Sequence, residues 1–326
     1  MGALPPSAYR LRTAGTRAGG ARGVSRRSLI ATLLLLLALA PAATAADAII
    51  VASKIDTEGA LLGNMIALLL EHGGLRIESR IGLGPTNIVR SAILAGAIDI
   101  YPEYTGNGAR FFKREHDPAW KNAASGYDEV RRLDRAQNNL VWLAPAPANN
   151  TWAIAARKDL AAHAGATLEG FARYLAGGGR VRLAASAEFV ESPGGLPAFE
   201  QSYGFTLSQS QLLVLAGGDT AATIRAASED VSGVNAAMAY GTDGSLAALG
   251  LSILADDKGA QVVYEPAPVV RGAVLAAHPE IAGLLDPAFR SLTLARLQQL
   301  NAAIAVEGRE ARAVAQDYLM AQGFLK

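Results

Sequence analysis

From residue 48 onward the chain alternates short β-branched runs with stretches of helical periodicity, and few folds accept that order. "AIIVAS" (48–53) is followed by "TEGALLGNMIALLLEHGG", whose apolar residues recur at helical spacing until Gly73 and Gly74 stop it. "LRIESRIG" alternates Leu75, Ile77 and Ile81 with polar positions, "PTNIVRSAILAG" opens on Pro85 and closes on Gly96, and "AIDIYPEY" is again strand-like. Strand, helix, strand, helix, strand predicts a parallel sheet covered on both faces. Ligands of such sheets meet the loops at the carboxyl ends of the strands. "SKIDTE" and "YPEYTGNG" are two of those loops.

The theme continues through the middle of the chain. "TWAIAARKDL", "VRLAAS" and "AAMAYGTDG" read as strands, while "TLEGFARYLAG" and "GDTAATIRAASED" read as helices. "LSILADD" and "VVYEPAPVVRGAVLAA" are strand-like, and residues 279–323 are helical. Breaks rich in Pro, Asn or Gly fall at "APAPANN" (144–150) and near "LGLS" (249–252).

Charge and composition narrow the function. Residues 1–45 hold six arginines and no acid, so the remainder has 24 basic and 29 acidic residues, a net charge of −5. A mildly acidic body argues against nucleic acid as a partner. The arginines precede the apolar run 29–40, then Pro41 and the small residues "ATA", which is the order of a secretory signal peptide cleaved near Ala45. An apolar run of that length spans about 18 Å as a helix, short of a bilayer core. "SRRSLI" leaves twin-arginine export open beside the general route. There is no cysteine, hence no disulfide, thiolate metal site or lipidated cysteine. The four histidines, His72, His116, His163 and His278, lie apart with no HExxH pattern, and no phosphate-binding glycine loop is present. The expectation is a periplasmic protein without cofactor or metal.

"SKIDTEGALLGNM", "DIYPEYTGNG", "NNTWAIA", "AEF" with "GLPAFEQSYGF", and "AYGTDG" with "DDKG" occur in this order. Together they resemble the substrate-binding proteins of ABC importers for glycine betaine, choline and related osmoprotectants, over essentially all of residues 48–325. The resemblance implies an α/β, two-lobed periplasmic binding fold of type II, with hinge-linked lobes and a ligand cleft between them. It implies lobe 1 from residues 46–148 and 251–326, and lobe 2 from 149–250. It also implies a monomer that delivers a small quaternary ammonium solute to a membrane permease driven by an ATPase.

A quaternary ammonium ion has no N–H to donate, so a site grips it with the negative faces of aromatic rings. By resemblance, Tyr104 is the ring of the "YTG" turn, Trp152 the aromatic after the "NN" pair, Tyr240 the aromatic before "TDG", and Tyr264 a fourth wall. Lys54 and Asn107 fall where a carboxylate end would be met, and Asn150 falls where relatives place an acid near the cation. In the segment after "EF" the family usually carries an Arg and then an aromatic; this chain has Ser192 and Leu196, which removes a bidentate carboxylate partner and one wall.

Alternation puts Tyr101 on the face opposite Tyr104, in core or interlobe packing. Glu103 reads as a structural acceptor or a lobe-surface charge, and Asp243 as a turn residue bonding its own backbone. The rival reading pairs Glu103 with Asp243 as the carboxylates of a glycosidase-like hydrolase. A binder of another small cationic or zwitterionic solute, with a sensing role on the same fold, is a third.

Overall fold

The computed structural model describes residues 48–215 and 220–326; the leader assigned to residues 1–45 lies outside them. Two five-stranded mixed sheets organise the chain. The first contains β1 (Ile49–Lys54), β2 (Ile77–Gly84), β3 (Ile100–Tyr104), β4 (Leu140–Trp142) and β10 (Pro266–Arg271), in the order β2-β1-β3-β10-β4. The second contains β5 (Trp152–Arg157), β6 (Leu183–Ser186), β7 (Leu212–Leu215), β8 (Ala236–Tyr240) and β9 (Leu251–Ile253), in the order β7-β6-β8-β5-β9.

The sheets share one plan. In each, three strands run parallel and a fourth enters antiparallel, and that fourth strand is the first one reached after the chain crosses from the other sheet. β5 arrives this way over residues 143–151, and β10 arrives over residues 254–265. The fifth strand pairs antiparallel with the arriving one.

The return comes later than residue 251. β9 pairs with β5, and Leu254 and Ala260 pack into the core of the second sheet. The boundary read at residue 251 is therefore corrected: the β-branched run there completes the second sheet before the chain leaves it. The stretch 262–277 also divides. β10 ends at Arg271 and a helix, Gly272–Ala277, follows at once.

The helix Thr57–His72 is buried on nearly every side. Its mostly apolar circumference, "ALLGNMIALLL", suits a helix held between a sheet and other helices. One side meets the first sheet, and the other meets the C-terminal helices Glu280–Ser291, Leu294–Ala305 and Ala311–Ala321. Asp56 caps it, accepting from the Gly59 N–H at 2.7 Å. That cap fixes where Glu58 sits. No helix among the described residues is long and apolar enough to cross a membrane.

Candidate functional site

A cleft of about 1740 Å³ is lined from both sheets, and all seven residues singled out by sequence lie on its wall: Lys54, Tyr104, Asn107, Asn150, Trp152, Tyr240 and Tyr264. They fall into two groups.

The first group is the ring wall. Trp152 opens β5 and Tyr240 ends β8, and the two are directly opposed in the antiparallel register. Trp152 is held edge-on against Phe189, with ring centres 5.7 Å apart. Tyr264 comes from the second crossing. Its N–H donates to Asn149 Oδ1 at 2.8 Å, and its carbonyl accepts from the Asn150 N–H at 2.9 Å. The "NN" pair thus ties one crossing to the other and fixes Tyr264 between the sheets. Gly106 makes room for that ring, because a Cβ there would stand 2.7 Å from Tyr264 Cδ1. Burial raises the Tyr264 phenol above its ordinary value; the nearby Arg110 opposes the shift and the Tyr240 phenol adds to it. Burial also raises Tyr240.

The second group is a buried polar floor. Lys54 Nζ lies 2.5 Å from Glu103 Oε1 and 4.5 Å from the centre of the Tyr104 ring. Asn107 Nδ2 donates to Glu103 at 2.8 Å, as do the Tyr104 N–H at 2.7 Å and the Tyr101 hydroxyl at 3.1 Å. Glu103 is fully buried with four donors on it, the structural acceptor expected of it. Tyr101 is fully buried as well. Asp243 accepts from the Tyr240 N–H at 2.8 Å, holding its own turn.

Lys54 and Asn107 line the cleft and both also face Glu103, so the Lys54 ammonium is already paired with a carboxylate of the chain. One face of Tyr104 is likewise occupied by a cation of the chain's own.

Glu58 and Asn301 escaped the sequence reading. Glu58, in the first turn of its helix, is 5% exposed. It accepts from the Tyr104 hydroxyl at 2.8 Å, Asn150 Nδ2 at 3.1 Å, Asn301 Nδ2 at 2.7 Å, and Thr242. Burial raises its carboxyl above the ordinary value, opposed by those hydrogen bonds. A carboxylate only accepts, so each asparagine turns its NH₂ toward Glu58 and its oxygen away. Both amide oxygens are buried without a partner. One signal existed for Asn301: it lies four residues after the buried Leu297, a polar residue on an apolar helix face. Glu58 looked like an ordinary first-turn acid.

The chain also resembles known proteins in sequence and structure. The model of the substrate binding domain of ABC-type glycine betaine transport systems matches residues 47–321. The glycine betaine-binding protein YehZ of Escherichia coli (strain K12) is 57% identical over 296 residues, covering 90% of this chain and 97% of that one. A glycine-betaine-binding protein of Pseudomonas aeruginosa is 33% identical over 281 residues, covering 84% and 88%. The solved structure of apo YehZ from Escherichia coli superposes with a TM-score of 0.79 at 58% identity, covering 86% of this chain and 100% of that one. The chain belongs to the substrate-binding domains of ABC-type glycine betaine transport systems, a family of binding proteins and not of enzymes.

Proposed function

We propose that the protein captures a small quaternary ammonium solute of the glycine betaine or choline type and hands it to a membrane permease coupled to an ATPase. The observation that carries this reading is the ring wall. Trp152 and Tyr240 from one sheet, and Tyr264 from the segment leading to the other, border a single cleft. Each ring face near a desolvated cation contributes roughly 0.5–2 kcal/mol. Three rings together contribute roughly 1.5–6 kcal/mol, the scale of a millimolar affinity; micromolar binding, about 8 kcal/mol, needs further contacts to the solute.

Tyr104 has a supporting place in this reading. Its hydroxyl is anchored on Glu58 and its ring carries Lys54, so it forms the floor from which the solute is lifted against the three-ring wall. Asn150 and Asn301 add neutral amide oxygens, which suit a cation better than they suit an anion. The lobes close by rotation about the paired crossings at Asn149, Asn150 and Tyr264, and the closed form is what the permease reads. The protein acts as a monomer in the periplasm, exported by the leader.

Calorimetric titration of the mature protein with glycine betaine, choline, carnitine, proline betaine and ectoine tests the reading. Saturable heat with at least one methylated ammonium solute is expected. Absence of heat from all of them, at concentrations up to tens of millimolar, overturns it.

A further inference from the structure

Among the described residues, the cleft is lined by a guanidinium whose charge no side chain answers. Five basic residues line the cleft: Lys54, Arg110, His116, Lys121 and Arg225. Lys54 is neutralised by Glu103. A zwitterion whose ammonium lies on the ring wall still brings a carboxylate that must be desolvated, and an unpaired carboxylate in such a cleft is costly.

Arg110 sits on the short helix Asn107–Phe111, one turn beyond Tyr104, on the strand-end loop that also supplies Gly106. Tyr264 packs against Gly106, so Arg110 and the ring wall share one local scaffold. Arg110 lines the same cleft as Tyr264, and its charge opposes the rise that burial imposes on the Tyr264 phenol. Arg110 makes no ion pair and no side-chain hydrogen bond among the described residues. On the segment that carries Tyr264, Gln261 is 6% exposed and its Nε2 is buried without a partner, a second donor on the same wall.

The geometry points to Arg110 as the residue that receives the carboxylate of a zwitterionic solute. This inference rests on the ring-wall reading above. It assigns the chain a preference for ammonium solutes that bear a carboxylate over those that bear only a hydroxyl. The guanidinium presents two parallel N–H donors, which match a carboxylate and find no counterpart in an alcohol.

The test compares glycine betaine with choline, which share the trimethylammonium group and differ at the other end. Arg110→Gln is expected to weaken glycine betaine about tenfold or more, the usual scale for a hydrogen bond to a charged group. Choline affinity is expected to stay within twofold of the parent protein. Arg110→Lys should recover part of the loss, since it restores charge without the fork. Arg173→Gln, which removes the same charge from an exposed helix that does not line the cleft, should leave both affinities within twofold. Equal losses for both solutes in Arg110→Gln, no loss for either, or an equal glycine betaine loss in Arg173→Gln would overturn the assignment. Failure of the parent protein to bind either solute would instead overturn the reading on which it rests.

Discussion

The Lys54 ammonium lies 2.5 Å from the Glu103 carboxylate and 4.5 Å above the Tyr104 ring, at the end of the first sheet where the cleft begins. Both partners are nearly solvent-free. Such a pair repays its desolvation only while all its hydrogen bonds are present. Glu103 meets that condition through Tyr101, Asn107 and the Tyr104 N–H.

Removing only the acid should therefore be expensive. Glu103→Gln leaves a buried ammonium without a counter-charge, and a loss of roughly 3–5 kcal/mol is expected in urea unfolding. Adding Lys54→Met removes the orphaned charge, so the double variant should be more stable than Glu103→Gln alone. Additive losses in the two variants would show that the pair is not coupled.

Trp152 gives a second measurement. Trp120 and Trp142 are both buried away from the cleft wall, at 1% and 2% exposure, whereas Trp152 is half-buried and lines the cleft. A ligand-induced change in tryptophan emission should come from Trp152 alone. Trp152→Phe should abolish the change while keeping most of the affinity in calorimetry. Trp152→Ala should weaken a quaternary ammonium solute by about 1 kcal/mol or more. A persistent emission change in Trp152→Phe would move the solute elsewhere.

Much of this was readable from the chain, and the remainder was hidden for definite reasons. Strand and helix alternation is a local signal, so β1, β2, β3, β6 and β8 and the helices between them followed from periodicity. The sheet that a strand joins is decided by hydrogen bonds to residues far along the chain. β9 therefore looked like the start of a return, although it pairs with β5. The rings were picked out by the resemblance of the motifs around them, since an aromatic at a strand end is by itself more often a packing group. What Lys54 faces was not visible, because Glu103 lies 49 residues away. Glu58 was hidden because an acid in a helix first turn is commonplace.

Glu58 makes stability depend on pH in a defined direction. Burial holds its folded pKa above the ordinary 4.5, so the folded protein retains a proton that the unfolded chain releases. Its contribution is fully present below about pH 4.5 and is lost as pH rises through the folded value. Glu58→Gln removes this titration. The stability of the parent protein relative to Glu58→Gln should be greatest at the acidic end, fall as pH rises, and then level off. Paired urea titrations between pH 4 and 8 measure the difference. A difference that grows with pH would mean that the hydrogen bonds from Tyr104, Asn150 and Asn301 outweigh burial.

Gly244 tests how the second sheet is held to the C-terminal helix. A Cβ at Gly244 would stand 2.2 Å from Ala302 N and 2.5 Å from Asn301 C, which are backbone atoms that have no rotamer to yield. The turn and the helix Leu294–Ala305 must separate to admit it. That separation strains the Asn301 Nδ2 hydrogen bonds to the Thr242 carbonyl at 2.9 Å and to Glu58 at 2.7 Å. Gly244→Ala should cost roughly 1–3 kcal/mol, enlarge the radius of gyration in solution scattering, and weaken solute binding. Gly283→Ala is the matched control. It lies inside the helix Glu280–Ser291 with nothing within 4 Å of an added Cβ, so it should stabilise by up to about 1 kcal/mol and leave affinity unchanged. If Gly244→Ala bound solute as the parent does, the contact between this turn and the helix would play no part in setting the cleft.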